Sequence, residues 1–216
     1  MKIISFSLWG DKPMYTVGAL ENIALANEIY PDWTCRFYVD KTVTEEVKSN
    51  IKNEGGEIYF IDSDKGSFWG MFWRFMANDD PNMEVMISRD CDSRLSYREK
   101  AAVNEWLVSE KMFHTMHDHY AHRSVPILGG MWGVKRGLIT NMVDKALLWG
   151  RYGNKGIDQD FLRDVIWKDV KDTTLSHSSI NNRWNFSISF PKHKESKYNV
   201  KYVGEIFDEN NKAVIS

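Results

Sequence analysis

The chain has 216 residues, 43% of them hydrophobic, and its 28 basic and 30 acidic side chains leave a net charge of −2. That length suits one α/β domain with a substantial core, and the balanced charge argues against nucleic acid as the main partner, since a phosphate backbone calls for a basic excess. Two cysteines, Cys35 and Cys91, exclude a disulfide framework and a paired-cysteine metal knuckle. No apolar run approaches the ~20 residues of a membrane helix, and the N-terminal run Ile3-Ile4-Ser5-Phe6 is too short for a signal peptide. The expected setting is therefore cytoplasmic, with both thiols reduced.

Ile3 to Leu8 reads as a first buried strand, ended by Trp9-Gly10-Asp11-Lys12-Pro13. Tyr15 to Tyr30 carries a helical apolar stripe at Val17, Leu20, Ile23, Ala24 and Ile29, and Pro31 stops it. Thr34 to Val39 is a second strand, with Cys35, Phe37 and Val39 alternating against Arg36 and Tyr38; Thr44 to Asn53 is a short helix closed by Gly55-Gly56; Glu57 to Ile61 is a third strand. Phe68 to Ala77 reads as a helix and Glu84 to Ser88 as a fourth strand. This alternation predicts an α/β fold of one domain, a mostly parallel sheet flanked by helices, with ligands beyond the carboxyl ends of its strands. Further on, helices are expected over Tyr97 to Ser109, Arg136 to Trp149 and Asp158 to Trp167. His114 to Arg123 reads as a polar, His-rich loop, Val125 to Gly133 as apolar and glycine-rich, and the chain after Arg183 as loop with one strand, Val200 to Ile206. The expected division is a nucleotide half over about 1–95, an acceptor half over about 96–190 and a C-terminal tail over about 191–216.

The fourth strand runs straight into Arg89-Asp90-Cys91-Asp92-Ser93-Arg94. On an extended segment residues two apart point the same way, so Asp90 and Asp92 form a pair able to grip one hard cation while leaving coordination positions to phosphate oxygens. A diphosphate leaving group needs such a cation as charge builds on it, and Mn²⁺ or Mg²⁺ suits oxygen ligands. The nearby Asn78-Asp79-Asp80-Pro81 follows a helix and reads as a solvated turn.

Five stretches occur in a fixed order: Ile4 to Leu8, Phe72-Trp73-Arg74-Phe75, Ser88 to Arg94, Gly129-Gly130-Met131-Trp132-Gly133 and Asp158-Gln159-Asp160-Phe161. Together they resemble small GT-A glycosyltransferases of the kind encoded by chlorella viruses and found in some bacterial polysaccharide clusters, with a looser likeness to retaining bacterial galactosyltransferases. The resemblance spans about residues 3–190. It implies a GT-A fold and transfer of a hexose from a UDP-sugar to a glycan or other hydroxyl acceptor. It further implies that Asp90, Asp92 and His177 hold the metal, and that Ser5, Phe6, Ser7, Leu8, Arg74, Arg89, Asp90, Gly130, Trp132 and Gln159 contact the donor. The family pattern places an acid directly after that histidine, where this chain has Ser178.

Other residues add to this picture. The Arg74 guanidinium can fork onto phosphate oxygens, or pair with Asp79 or Asp80 on a helix surface. Asp158 and Asp160 open a helix; either can bond sugar hydroxyls or act as base, and Asp158 can equally be an N-cap. An inverting enzyme needs such a base and a retaining one does not, and the residues leave both open. His114, His117, His119 and His122 crowd around Asp118, yet no cysteine or HExxH helix supports zinc. Trp69 and Trp132 suit either a sugar platform or the core. Two other classes compete. A sugar-nucleotide nucleotidyltransferase would carry a Gly-rich, Lys-bearing loop after the first strand, where Ser7-Leu8-Trp9-Gly10 has one glycine. A non-enzymatic carbohydrate-binding module would more commonly be all-β.

Overall fold

In the computed structural model, which describes residues 1–62, 69–150, 155–181, 183–184 and 186–214, the alternation read from the first sixty residues is realised. Strand β1 (Lys2–Leu8) leads into helix α1 (Pro13–Ile29), β2 (Thr34–Val39), α2 (Glu45–Asn53) and β3 (Glu57–Phe60). The stretch Trp9 to Lys12 ends β1 as expected, and Pro13 occupies the first turn of α1, where its missing N–H costs no hydrogen bond. Thr44 caps α2 by accepting from the Val47 N–H at 3.3 Å. A short α3 (Gly70–Trp73) tightens into a 3₁₀ segment, Arg74–Asp79, and leads to β4 (Val85–Arg89). The expected start of that helix, Phe68, lies outside the described residues.

The chain continues through α4 (Tyr97–Val108), β5 (Phe113–His117), β6 (Trp132–Lys135), α5 (Met142–Trp149), α6 (Ile157–Phe161), a π-helical stretch at Leu162–Ile166, α7 (Trp167–Val170), β7 (Thr174–Ser178) and the two-residue β8 (Ser187–Ile188). The strands form one eight-stranded sheet in the order β3-β2-β1-β4-β6-β5-β7-β8. All pairings are parallel except those of β6, which runs antiparallel to both β4 and β5. Both faces of the sheet are covered. Ile4, Phe6, Leu8, Phe37, Ile87 and Trp106 pack with α1 on one face. Ile3, Met86, Trp132 and Phe113 pack with Phe72, Phe75, Phe161 and Ile166 on the other. Each fully buried large apolar side chain is worth about 1.5–3 kcal/mol.

Burial on both faces corrects several expectations. Arg36 and Tyr38 are buried at 1% and 4% exposure; Arg36 offsets its burial with ion pairs to Glu57 (2.9 Å) and Asp80 (2.6 Å). Asp79 is exposed, as a solvated turn predicts, but its carboxylate also accepts from the Met142 and Val143 N–H groups and caps α5. The His-rich stretch begins as strand β5: His114 and His117 are buried and point to opposite faces. Asp118 is held by two 2.6 Å bonds from Arg98 and one from the Val203 N–H. Strands β7 and β8 went unread because they are short and rich in Ser and His. Val200 to Ile206 is not a strand; the pairing there is one bridge between Phe207 and Ala213. Helix α5 begins only at Met142, since Gly137 at φ 88° breaks the run from Arg136. Among the described residues no helix is long and apolar enough to cross a membrane.

Candidate active site

Strand β4 delivers its last side chains at the carboxyl edge of the sheet, and α1 holds the loop that follows. Asn22 donates to the Ser93 carbonyl at 2.9 Å and accepts from the Leu95 N–H at 3.0 Å. Gly18 lets α1 approach the Cys91 carbonyl so closely that a Cβ there would clash with it. Cys91 turns inward, its thiol donating to the Ser7 carbonyl at 3.4 Å, which leaves Asp90 and Asp92 on the outer side of the loop. On the far side the Phe207 N–H donates to the Asp92 carbonyl at 2.8 Å, so the C-terminal segment forms part of the site wall.

Arg74 organises the acids. Its backbone is tied to β1 by both serines: the Arg74 N–H donates to Ser7 Oγ at 2.9 Å and Ser5 Oγ donates to the Arg74 carbonyl at 2.6 Å. Its guanidinium donates to Asp90 at 2.5 Å and to Asp158 at 2.8 Å. Arg74 and Asp158 are buried, whereas the Asp90 side chain is 41% exposed. One guanidinium thus serves two acids, with Asp92 alongside. Burial works against the Arg74 charge, but Asp90, Asp158 and Asp92 outweigh it and hold the group protonated. Burial pushes the Asp158 carboxyl above its ordinary value, with Arg74 opposing the rise. Asp92 is pushed up to about 7, first by desolvation and then by the Asp90 charge. The cluster is short of positive charge, which is the condition a divalent cation relieves.

Two glycines pack against the cluster. A Cβ on Gly129 would collide with Asp158 Oδ2 and the Arg74 guanidinium, and one on Gly130 would collide with Asp90 Oδ2. Ser88 Oγ fixes this loop by donating to the Gly129 carbonyl at 2.7 Å. Gly130→Ala is therefore expected to lose about 1–3 kcal/mol of stability, as overpacking does, and to displace Asp90. Thermal unfolding with and without Mn²⁺ measures both effects; a variant with wild-type stability and metal response would mean Asp90 is not held against this loop.

The structure brings together Asp90, Asp92, Arg74, Asp158, Gly130, Ser5 and Ser7. It sets other expected residues elsewhere, mostly for reasons of strand parity. Phe6 and Leu8 alternate with the serines and lie in the core on the α1 face, Phe6 stacked on Phe37 with ring centres 4.8 Å apart. Arg89, one residue before Asp90, points to that same face, where it binds Glu99 at 3.0 Å and the Ser88 and Trp132 carbonyls. Trp132 is fully buried against Phe75 and Phe113, and Trp69 is buried on Phe72, so both are core residues. Asp158 and Asp160 diverge because residues two apart on a helix lie on different faces; Asp160 pairs with Arg163 at 2.6 Å. Gln159 stays partly exposed on that turn.

His177 is not brought to the acid pair. Strand β7 is separated from β4 by β6 and β5. The His177 ring lies between His114 (2.9 Å) and Glu105 (3.3 Å), near α4, with both nitrogens engaged. Burial lowers the pKa of both imidazoles. Ser178 bonds the His117 and Ile180 carbonyls. Among the described residues no group of three or more His, Cys, Asp or Glu is arranged to hold a metal. Gly18 and Asn22 were not anticipated in these roles.

No protein-family model matches the sequence, and no curated protein matches it. Solved structures do match in fold. The galactosyltransferase LgtC, in complex with donor and acceptor sugar analogs, aligns with a TM-score of 0.51 at 17% identity, over 83% of this chain and 74% of LgtC. Glucosyl-3-phosphoglycerate synthase from M. tuberculosis, in complex with Mn²⁺, uridine diphosphate and phosphoglyceric acid, aligns at 0.54 and 11% identity, over 89% of this chain and 70% of that one. A 4-diphosphocytidyl-2C-methyl-D-erythritol synthase from Anaerococcus prevotii aligns at 0.54 and 11% identity, over 87% and 91%. The architecture is thus the single-domain α/β GT-A fold.

Proposed function

We propose that the chain is a metal-dependent glycosyltransferase that moves a hexose from a UDP-sugar to a hydroxyl of a glycan acceptor. The observation that carries this reading is the cluster at the carboxyl edge of the sheet, where Asp90 and Asp92 meet Arg74 and Asp158 under the Gly129-Gly130 backbone. Asp90 and Asp92 would hold Mn²⁺ or Mg²⁺, which when bound stabilises charge on the departing diphosphate. Arg74 positions Asp90 and Asp158 and adds positive charge beside the leaving group. Asp158, buried and hydrogen-bonded by Arg74, would accept from donor-sugar hydroxyls. The likenesses to galactosyl- and glucosyl-transferring proteins support the reading at the level of fold.

The likeness to the diphosphocytidyl-methylerythritol synthase favours nucleotidyl transfer as the second reading. The loop after β1 counts against it. It has one glycine, Gly10, and enters α1 through Pro13, whose ring removes an N–H from the turn that would otherwise cradle phosphate. The deciding experiment is a panel of nucleotide sugars with Mn²⁺, assayed for free nucleoside diphosphate. Sugar transfer or donor hydrolysis releases it, whereas nucleotidyl transfer exchanges pyrophosphate. Pyrophosphate exchange, or no nucleoside diphosphate from any donor, would overturn the proposal.

Cation binding should also titrate. A proton on Asp92 must leave before the cation binds, and that carboxyl sits at about 7. Mn²⁺ affinity is expected to rise with pH up to about neutrality and to level off above it, with close to one proton released per ion at about pH 6 and few at about pH 8. Calorimetry in buffers of different ionisation heat counts these protons. A flat profile would remove Asp92 from the ligand set.

A further inference from the structure

Strands β4, β5 and β7 run parallel, so the loops after β5 and β7 open on the same rim as Asp90, with β5 two strand spacings, about 10 Å, from β4. Between those two loops lies an open cavity of about 570 Å³ lined by Arg123, Ser124, Asn181 and Arg183. Gly129 follows Arg123 by six residue steps, a span of at most ~22 Å, so the cavity is within oligosaccharide reach of the Arg74 cluster.

Its chemistry differs from the rest of the rim. Among the described residues, two guanidiniums, an amide and a hydroxyl line it, and no acid does. Among the described residues, arginine ion pairs are made by Arg36, Arg74, Arg89, Arg98 and Arg163; Arg123 and Arg183 are in none of them. Each lies instead against an aromatic ring, Arg123 at 3.6 Å from the Tyr120 centre and Arg183 at 4.8 Å from that of Trp184. A ring face orients a guanidinium plane yet leaves its N–H edge free for an oxyanion. The Trp184 indole N–H donates to the Arg123 carbonyl at 3.0 Å and ties the two loops together.

We propose that this cavity is an acceptor subsite for an anionic sugar, one that bears a carboxylate or phosphate group. The two arginines bind the oxyanion, while Ser124 and Asn181 donate to it or to a neighbouring hydroxyl. The proposal rests on the glycosyltransferase reading, and it names the acceptor class for that site.

Calorimetry on the full chain without nucleotide or metal tests the cavity by itself, using glucose, glucuronate and glucose 6-phosphate as probes. Glucuronate or glucose 6-phosphate is expected to bind at least about tenfold more tightly than glucose, as charge-assisted bonds do, and the advantage should shrink with added salt. The stronger of the two identifies the anion. Arg123→Gln with Arg183→Gln, both at exposed positions, should abolish the advantage without lowering the melting temperature. With an active donor in hand, the same double variant should raise the acceptor KM for the charged sugar and not for glucose. Equal binding of all three probes, or a charge advantage that survives the double variant, overturns the subsite. Failure of donor hydrolysis with the calorimetric preference intact would instead count against the glycosyltransferase reading.

Discussion

Asp92→Asn is expected to lower Mn²⁺-dependent release of nucleoside diphosphate by about 10²–10³-fold, the scale on which removal of one preorganised electrostatic contact acts, and Asp90→Asn should do the same. The reason lies in the cluster's charge. Asp92 is desolvated beside Asp90 and carries its negative charge at a cost, so its carboxyl sits at about 7. A folded-state pKa above the unfolded one means that stability is lost as pH rises from the ordinary carboxylate range through about 7. Asp92→Asn removes that penalty while keeping shape. Its backbone contact to the Phe207 N–H is untouched. The variant is therefore expected to be at least as stable as the wild type above neutral pH while being inactive. That combination separates a functional acid from a structural one. Activity surviving in either variant with unchanged metal dependence would refute the metal-pair assignment.

Arg74→Met is the substitution with the largest expected effect on stability. Arg74 and Asp158 have side chains only 8% and 4% exposed, and Arg74 is the guanidinium bonded to that acid. Breaking a buried pair from one side leaves an uncompensated charge and costs about 3–5 kcal/mol. The loss should be greatest where Asp158 is ionised and should lessen as pH falls, because protonation removes the unpaired charge. Urea denaturation at several pH values reads both the size and the slope. Arg74→Met with Asp158→Leu should recover much of the loss, since two apolar groups can replace a buried pair at little cost. A single-variant loss below about 1 kcal/mol, flat with pH, would mean that another group compensates Asp158.

Much of this site was legible in the residues. An apolar strand followed at once by two acids two apart places a carboxylate pair at a sheet edge, and β4 with Asp90 and Asp92 does so. The glycine-rich run 129–133 stood out as one of five ordered stretches, and the structure sets Gly129 and Gly130 against Asp158 and Asp90. What could not be read was parity and partnership. Arg89 looked as well placed as Arg74, yet a strand turns successive side chains to opposite faces, and Arg89 spends its charge on Glu99. His177 followed a family pattern, but its place on β7 gives it to His114 and Glu105. The His-rich stretch looked solvated, yet His114 to Asp118 are buried in and after β5, and only the part from His119 to Arg123 reaches solvent.

The sequence by itself determined the alternation of strand and helix over the first sixty residues, the sheet edge at which β4 ends and the acids that stand there, because these follow from periods of two and 3.6 over short stretches. Only the tertiary structure decided which charges meet. Arg74 joins Asp90 sixteen residues away and Asp158 eighty-four away, and nothing local distinguishes those acids from Asp79, Asp80 or Asp160. Partner choice there is set by burial: once the sheet is covered on both faces, a guanidinium without a carboxylate is too costly to keep, and the fold that survives is the one that pairs them.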